Sequence, residues 1–472
     1  MEEPKHRHNT LTFRAELRTS LTIALLVLLV VVTSRVALLG GISTIDADEG
    51  YSLISARFIQ QGLKPYNDFF LAQTPLWFYL VVAVWEVLDA GSPVVAWALA
   101  RSISILTTAL TFTFVYLIGR RLGGEKCGVP AVALLLTSLT FYFYSFATTP
   151  EITSVMFATI AVFLSLNRQA GNSTLLSGLF LGVGGMAKAS TLYLFPIILL
   201  YNAVQERKAK SILLLTLSAL LPFVPLLAYD PGKVVLDLIA YRGTSSKYWA
   251  EYTTMASYTF TRLELPLAVF GLAGIAYLLT NRSWTRRVLA FYAAASIIGT
   301  VATPTPFAAH YFNFFAPFLA ICGGSLFAVA WRRRLLVPAL TIALLATFFM
   351  STRVGLNYYG YTMDSRAHEN LLTASQVVKS LTSPSEYVIG NHFVVFLADR
   401  RMPPAFVDTS AFMAHSGWLT DDTLIEACKQ YRVRLVLLYP EFDNYPGFVR
   451  YVQQNYTLVY TIDDMRIYLG AT

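Results

Sequence analysis

Residues 21–39 read LTIALLVLLVVVTSRVALL, and residues 40–51, which follow directly, read GGISTIDADEGY. The first stretch has the length of a transmembrane helix, because about 20 apolar residues cross about 30 Å of hydrocarbon. It follows a basic leader and is longer than the apolar region of a signal peptide. We therefore expect an uncleaved anchor with a cytoplasmic N-terminus, followed by an outer loop that opens with acidic residues.

The composition of the whole chain is that of a membrane protein. Of its 472 residues, 55% are apolar and 14% are charged, against about 25% charged in a soluble domain, and the mean hydropathy is +0.53. Three cysteines are too few for a disulfide scaffold. The net charge of +8 comes from short basic loops between apolar runs. The positive charge therefore indicates how the chain is oriented in the membrane, and we expect no nucleic-acid partner.

The apolar runs predict a polytopic α-helical membrane protein with about eleven transmembrane helices. A cytoplasmic N-terminus places every short basic cluster inside, as the positive-inside rule requires. This predicts an integral protein of the plasma membrane with transmembrane domain 1–351. After the first span, the runs are 94–118, 128–147, 151–166, 174–187, 189–204, 211–228, 265–280, 288–303, 308–330 and 335–351.

The first outer loop, residues 41–93, contains one further apolar run that is too short to cross the membrane. Residues 75–88 read PLWFYLVVAVWEVL, which as a helix would be about 21 Å long. Counting it as a span would move all later basic clusters to the outer side. We therefore predict a juxtamembrane helix on the outer membrane surface, where its aromatic residues suit the interface.

Residues 352–472 have the composition of a small soluble domain, with 10 Lys/Arg and 12 Asp/Glu. Helix-like stretches at 366–381 and 420–431 alternate with short β-rich runs. The sequence therefore predicts an extracytoplasmic α/β domain. The predicted strands are Tyr387–Ile389, Val433–Tyr439, Thr457–Ile462 and Met465–Leu469.

Three basic or potentially basic residues, Arg101, Lys188 and His310, fall near the outer ends of the predicted spans. Charged residues at membrane depth are costly and indicate function by default. An anion at the outer headgroup level, most simply a lipid-linked phosphate, would satisfy all three. The alternatives are that Arg101 extends to the interface, that Lys188 ends a span and that His310 packs in the core.

Asp48 and Glu49 lie beside this predicted phosphate site. In glycosyl transfer, a carboxylate takes the proton from an acceptor hydroxyl as it attacks the anomeric carbon, and basic residues stabilise the departing phosphate. Alternatively, the acidic residues begin a helix at 50–61, or Asp46 and Asp48 bind a divalent cation. We expect no required cofactor, with a divalent cation as the alternative.

The first outer loop resembles that of the polyprenyl-phosphate-sugar-dependent membrane glycosyltransferases of the GT-C fold, which include protein O-mannosyltransferases and lipid A aminoarabinose transferases. The resemblance is fairly specific in one block of the first outer loop, which consists of Asp48-Glu49-Gly50-Tyr51, Gly62-Leu63-Lys64-Pro65-Tyr66, Asp68 and Pro75-Leu76. The resemblance continues more diffusely through Ala100-Arg101-Ser102-Ile103, Thr149-Pro150-Glu151, Ala187-Lys188 and His310-Tyr311.

The resemblance implies a GT-C-like bundle and a role for each matched residue. Asp48 falls on the general base, and Glu49 is its neighbour in the same motif. Arg101 and Lys188 fall on positions that contact the donor phosphate or hold the first loop. The residues predicted to bind the donor phosphate are Arg101, Lys188, His310 and Tyr311. The residues predicted to bind substrate are Tyr51, Tyr66, Asp68 and Glu151.

The function predicted from the sequence is transfer of a sugar from a dolichyl- or undecaprenyl-phosphate donor to a hydroxyl acceptor on the outer membrane face. The acceptor is a lipid, a glycan or a protein, and membrane lipids surround the bundle. The alternatives are a multipass lipid or sugar transporter or flippase, and a glycan polymerase or ligase that uses a diphosphate donor. Scaffolding alone would not require the carboxylates of the first loop.

Overall fold

The computed structural model describes most of the chain between the first outer loop and the C-terminus. The predicted first span, residues 21–39, lies outside the described residues except for Leu29, and so does Asp46. The described residues are Leu29 and the ranges 47–167, 172–206, 208–241, 249–302, 308–333, 336–359 and 365–470.

The membrane part consists of helices, several of which are broken by short 3-10 or π segments. The α-helices are α1 Ala47–Gln60, α2 Leu76–Val87, α3 Pro93–Gly123, α4 Glu125–Leu136, α5 Leu139–Tyr144, α6 Pro150–Leu166, α7 Ser173–Ala187, α8 Phe195–Glu206, α9 Ala209–Leu220, α10 Pro231–Val235, α11 Trp249–Tyr258, α12 Leu265–Leu279, α13 Trp284–Ala302, α14 Ala316–Ala330 and α15 Leu336–Tyr358. The 3-10 segments are Ala189–Leu194, Leu221–Ala228 and Ala309–Phe314, and the π segments are Leu236–Ala240 and Thr259–Leu263.

Among the described residues, three helices are long and apolar enough to cross a membrane: Pro93–Gly123, Ala209–Ala228 and Leu336–Tyr358. A fourth candidate is the pair Thr253–Leu263 and Leu265–Leu279, which is bent by 93° at Glu264. Shorter apolar helices belong to the same bundle: α6 packs on α3, and α7 packs on α6. The chain is thus a helical membrane protein, and the number of eleven spans stays a prediction.

Four of the predicted continuous runs, 128–147, 189–204, 211–228 and 308–330, are broken in the structure, the second of them by the 3-10 segment Ala189–Leu194. The run 128–147 divides at Ser138, whose side-chain oxygen accepts a hydrogen bond from the amide of Phe141 and so starts α5. The run 211–228 changes to a 3-10 segment that contains two prolines, which cannot donate helix hydrogen bonds. In the run 308–330, α14 begins only after a 3-10 segment, with Pro317 in its first turn.

Glycines allow a close helix contact between α7 and α9. A Cβ on Gly178 or Gly182 of α7 would collide with the backbone carbonyls of Leu215 or Ala219 on α9. Small residues at such positions let two helix backbones approach closely within a membrane. The Gly-rich sequence of residues 178–185 therefore contributes packing between α7 and α9.

The C-terminal module, residues 365–470, is an α/β unit with a four-stranded sheet. The strand order is β1-β2-β4-β3, with β1 parallel to β2 and the other pairs antiparallel. The strands and helices predicted from the sequence in this region are confirmed. The strands are β1 Val388–Ile389, β2 Leu435–Leu438, β3 Tyr456–Ile462 and β4 Met465–Gly470, and the α-helices are α16 Ser365–Leu381, α17 His392–Leu397, α18 Ala411–Ser416, α19 Asp421–Gln430 and α20 Pro446–Asn455.

The module and the first outer loop share one hydrophobic core. The ring of Trp97 at the start of α3 lies 4.9 Å from that of Phe393 on α17, and Trp85 of α2 lies 5.9 Å from Phe396. The predicted domain boundary between residues 351 and 352 falls inside α15, because no proline or glycine interrupts residues 339–354. The C-terminal module is therefore packed directly on α1, α2 and the start of α3.

Candidate active site between the first loop and the C-terminal module

The first turn of α1 presents its two acidic side chains in different directions. Consecutive residues of an α-helix are about 100° apart around the axis. Asp48 has a side chain that is 54% exposed, whereas the side chain of Glu49 is fully buried. The adjacent carboxylates of the motif are therefore available for different tasks.

Glu49 forms a fully buried ion pair with Arg101 of α3. Glu49 Oε2 lies 2.8 Å from Arg101 Nη2, and Oε1 accepts a hydrogen bond from Nε at 3.0 Å. The amide of Thr148 and the indole of Trp97 also donate to Oε1, at 2.7 and 3.3 Å. The guanidinium carbon lies 4.0 Å from the centroid of the Trp97 ring. The pair thereby joins α1 to the membrane bundle.

The electrostatics of Glu49 fit a permanently ionised structural role. Burial alone would raise its pKa, but the adjacent Arg101 charge and the hydrogen bonds from Arg101 and Thr148 outweigh it and hold the pKa below its usual value. A carboxylate that accepts four hydrogen bonds and faces a guanidinium is a poor proton acceptor. Of the two predicted catalytic residues, Asp48 thus has the better geometry for a base.

A second ion pair, between Lys188 and Glu151, lies on the other side of Asp48. Lys188 follows α7, and Glu151 is in the first turn of α6. Both side chains are almost completely buried, and the Lys188 ammonium contacts a Glu151 oxygen. Lys188 Nζ also lies 5.4 Å from the centroid of the Tyr311 ring.

His310 lies between Asp48 and this second ion pair. Its Nδ1 is 3.8 Å from Asp48 Oδ2, and its Nε2 is 3.7 Å from Glu151 Oε1. Asp48, His310, Glu151 and Lys188 therefore form a continuous row of ionisable side chains. The sequence placed these four residues at one face of the membrane, and the structure brings them into contact.

This row lies at a cavity of about 690 Å³ that is bounded on one side by the membrane bundle and on the other by the C-terminal module. A volume in this range accommodates a small-molecule substrate. Residues from the bundle and first loop on its wall include Asp48, Tyr51, Gln73, Lys188, His310 and Tyr311. Polar residues from the module on its wall include Arg366, His368, Asn391, Asp408, Glu441 and Asp463.

The exposed part of Asp48 adjoins this recessed cavity, so surrounding protein removes much of its hydration. Burial, followed by the negative charge of Glu151, raises the pKa of Asp48 from 3.8 to about 6. The neighbouring Lys188 charge acts in the opposite direction. A carboxyl group with this pKa is ionised at neutral pH and is a stronger base than an ordinary aspartate, which suits general-base catalysis.

Tyr66 and Asp68, which were predicted to bind substrate, lie in a turn. Tyr66 has a left-handed backbone (φ 66°), and its hydroxyl donates to the carbonyl of Gln73 at 2.7 Å. Asp68 Oδ2 accepts from the amide of Lys64 at 2.8 Å. Neither residue lines the cavity, and these contacts are ordinary turn chemistry.

The structure leaves Arg101 away from the cavity wall, with its guanidinium against Glu49. A role in donor-phosphate binding stays a prediction, and the observed contacts match the alternative that Arg101 holds the first loop. Of the other residues predicted at the donor phosphate, Lys188, His310 and Tyr311 line the cavity. Glu151 does not line it but contacts both Lys188 and His310.

The sequence did not single out the cavity residues of the C-terminal module. Asp408 and Glu441 lie in segments of ordinary polarity, more than 350 residues after Asp48. Only the packing of α17 on α1 brings these segments over the site. No local pattern near Asp408 or Glu441 could have identified them.

Gly50, the next residue of the same motif, allows the C-terminal module to pack closely against α1. A Cβ on Gly50 would lie 2.8 Å from the backbone nitrogen of Phe393 and 3.0 Å from the Cβ of His392. Such distances are too short for any side chain larger than hydrogen. The glycine therefore lets the N-terminus of α17 rest against the first turn of α1, directly beside Asp48.

Within the described residues, no group of three or more His, Cys, Asp or Glu side chains is arranged to hold a metal ion. Asp46 lies outside those residues, so the predicted cation site at Asp46 and Asp48 stays a prediction.

Comparison with known protein families finds one match, which covers part of the chain. Residues 72–229 match the family described as dolichyl-phosphate-mannose-protein mannosyltransferase. This segment contains Arg101, Glu151 and Lys188. A comparison with curated protein sequences gives no significant match.

Solved structures show a common fold. The structure of ArnT from Cupriavidus metallidurans bound to undecaprenyl phosphate superposes with a TM-score of 0.64 at 14% identity, covering 97% of this chain and 98% of that chain. The Archaeoglobus fulgidus oligosaccharyltransferase in complex with Zn and sulfate gives a TM-score of 0.57 at 14% identity, covering 94% of this chain and 73% of that chain. At these identities the likeness shows the fold. Residues 72–229 are thus similar to the dolichyl-phosphate-mannose-protein mannosyltransferases, and the chain as a whole has the fold of ArnT.

Proposed function

We propose that the chain transfers a sugar from a polyprenyl-phosphate donor to a hydroxyl acceptor, with Asp48 as the general base. The single observation that carries the proposal is the placement of the Asp48 carboxylate. It lies half exposed at a cavity of substrate size, next to His310 and the Lys188–Glu151 pair. Its neighbour Glu49 is fully engaged with Arg101.

The proposed step is a single displacement at the anomeric carbon. The acceptor hydroxyl gives its proton to Asp48 as its oxygen forms a bond to that carbon. The bond from the anomeric carbon to the phosphate oxygen breaks, and the polyprenyl phosphate leaves with the electron pair. Cationic groups at the cavity wall, Lys188 and Arg366, favour the charge that develops on the phosphate.

A polyprenyl-phosphate donor is supported by the comparisons. The matching family is named for a dolichyl-phosphate sugar, and ArnT of the same fold was solved with undecaprenyl phosphate. The cavity adjoins the bundle, so a lipid-linked phosphate could reach Lys188 from the membrane. Dolichyl- and undecaprenyl-phosphate donors share the chemistry that these residues recognise.

The distribution of basic loops supports an outer active site in the plasma membrane, with the N-terminus in the cytoplasm. Arg120 follows Arg101 on α3 by 19 residues, which is about 28 Å along a helix and close to the hydrocarbon thickness. Two other basic segments meet at the Arg120 end: Arg286 Nη2 donates to the carbonyl of Leu122, and Lys126 lies 5.4 Å from the Trp331 ring. The basic end and the cavity are therefore at opposite ends of the bundle.

The test is release of free polyprenyl phosphate by the full chain in liposomes, measured by mass spectrometry. Dolichyl-phosphate mannose and undecaprenyl-phosphate mannose serve as donors, and a membrane extract supplies acceptors. Because the released lipid is measured, the acceptor need not be known. We expect enzyme-dependent release from a monophosphate donor. Turnover only with a diphosphate-linked donor, or movement of the donor across sealed vesicles without release, would contradict the proposal.

A further inference from the structure

His310 lies within ion-pair range of both Asp48 and Glu151. Asp48 belongs to α1 in the first outer loop, whereas Glu151 belongs to α6 in the bundle. The imidazole ring therefore lies between a half-exposed carboxylate and an almost completely buried ion pair.

The ring itself is held firmly. His310 is 8% exposed, and its ring centroid lies 5.2 Å from that of Tyr144 on α5 and 4.5 Å from that of Tyr311. The 3-10 segment Ala309–Phe314 that carries it packs on α5 and α6. The ionisable groups that face the ring from these elements are Asp48, Glu151, Tyr144 and Tyr311, with Lys188 next to Glu151.

The side chain of Asp48, in contrast, is half exposed. It lies in the first turn of α1, where backbone amides of the helix are unpaired and compete for a nearby carboxylate. A base is effective only when it lies within hydrogen-bond reach of the proton that it removes, and such contacts often tighten only when substrate is bound. At 3.8 Å, the Nδ1 of the fixed ring lies just beyond hydrogen-bond distance of the carboxylate, and a small movement on substrate binding would bring the two groups together.

We propose that His310 is the positioning residue for Asp48, and that its ring holds the carboxylate in the cavity by joining it to the Glu151–Lys188 ion pair. This inference rests on the proposed function, because it assigns the means by which the proposed base is oriented. His310 then contributes to turnover through Asp48 and contributes little to the affinity for the donor.

The direct test compares His310→Phe with the wild-type chain in the polyprenyl phosphate release assay. Phenylalanine keeps the ring and its packing on Tyr144 and removes both nitrogens. Misplacement of a catalytic group by about 1 Å can cost about 100-fold in rate, so we expect kcat to fall between about 10- and 100-fold. The KM for dolichyl-phosphate mannose should stay within about twofold. Tyr144→Phe, which preserves the neighbouring ring, is the matched control and should keep kcat within about twofold.

Two further variants separate positioning from folding. His310→Gln supplies an amide that can hydrogen-bond one carboxylate, so its kcat should lie between those of wild type and His310→Phe. His310→Ala leaves space beside Asp48, and added imidazole should raise its kcat. If His310→Phe fails to fold, the imidazole response of His310→Ala decides the question.

The outcomes distinguish this inference from the proposed function. Wild-type turnover together with an unchanged kcat in His310→Phe would overturn the inference alone. An increase in donor KM at unchanged kcat would also overturn it, because His310 would then bind the donor. Absence of an imidazole response in His310→Ala would count against it in the same way. A wild-type chain that releases no polyprenyl phosphate would overturn both the proposed function and the inference.

Discussion

At the scale of single residues, the four consecutive positions 48–51 have four different surroundings. Asp48 faces the cavity, Glu49 pairs with Arg101, Gly50 meets the backbone of α17, and Tyr51 lines the cavity wall. One helical turn therefore brings together the proposed base, its anchor to the bundle and its contact with the C-terminal module. A change at any of these positions should have a distinct consequence.

The pKa of Asp48 predicts the pH dependence of turnover. Burial and the charge of Glu151 raise that pKa to about 6. Since a general base acts in its ionised form, kcat/KM should be constant above this pH and fall about tenfold per pH unit below it. The measurement is initial-rate release of polyprenyl phosphate between pH 4.5 and pH 8. A rate that stays constant down to pH 4.5 would contradict Asp48 as the base.

The buried Glu49–Arg101 pair predicts a large loss of stability in Glu49→Gln. Removing one charge leaves the Arg101 guanidinium fully buried without its counter-ion, which typically costs about 3–5 kcal/mol. Glu125→Gln is the matched control, because the Arg120–Glu125 pair is partly exposed and such pairs contribute about 0–1 kcal/mol. Thermal unfolding in detergent compares the two. Equal melting temperatures would show that the buried pair does not anchor α1.

At the scale of secondary-structure elements, the site depends on two contacts between short segments. The first turn of α1 rests against the N-terminus of α17, where Asn391 accepts hydrogen bonds from the amides of Phe393 and Val394. The 3-10 segment Ala309–Phe314 approaches from the bundle and places His310 beside Asp48. These contacts join residues that are distant in sequence, so they fix the geometry of the cavity.

The contact between α1 and α17 predicts a specific effect of Gly50→Val. The added side chain would collide with Phe393 and His392 backbone or Cβ atoms, and such overpacking typically costs about 1–3 kcal/mol. We expect a lower melting temperature and a lower rate of donor turnover, since Asp48 shares the displaced turn. Gly91→Val is the control, because no atom beyond Asp89 lies near its Cβ position. A Gly50→Val chain with wild-type stability and rate would contradict this close contact.

At the scale of the whole molecule, the described part of the chain has two hydrophobic cores. One lies within the helix bundle, and the other joins the first outer loop to the C-terminal module. The cavity lies where these two parts meet, which explains why its wall contains residues of both. The module is therefore part of the proposed active site.

The proposed orientation predicts which ends of the molecule are accessible from outside the cell. Ser283 lies in the basic loop between α12 and α13, whereas Ser385 lies in the C-terminal module. The three native cysteines are all buried. In intact cells without an outer barrier, a membrane-impermeant maleimide should label Ser385→Cys and should label Ser283→Cys only after permeabilisation. The reverse pattern would invert the topology.

Sequence reasoning predicted those parts of the fold that depend on local pattern. The strands of the C-terminal module alternate or contain continuous apolar residues between turn signals, and the motif around Asp48 suggested the resemblance to membrane glycosyltransferases. The break at Ser138 was missed, because hydropathy does not register a side chain that caps a new helix. The sequence also did not show that Asp48 is exposed while Glu49 is buried. The tertiary position of Arg101 decides which of the two carboxylates is buried.

The cavity residues Asp408 and Glu441 mark the limit of sequence reasoning at this site. Their position depends on how the module packs over α1, and this packing involves contacts across more than 300 residues of sequence. Lys188 and His310, in contrast, were predictable, because an ionisable residue within an apolar stretch is conspicuous. Their mutual arrangement through Glu151 became evident only in three dimensions.

The most direct test of the account is the kcat of Asp48→Asn for release of polyprenyl phosphate, compared with that of Asp89→Asn. Both changes remove one carboxylate charge from the first loop, but Asp89 lies on its exposed surface and has a left-handed backbone that asparagine also adopts. Loss of a general base should lower kcat by about 100-fold or more, while Asp89→Asn should match wild type. An Asp48→Asn chain that folds and retains wild-type kcat would contradict Asp48 as the general base.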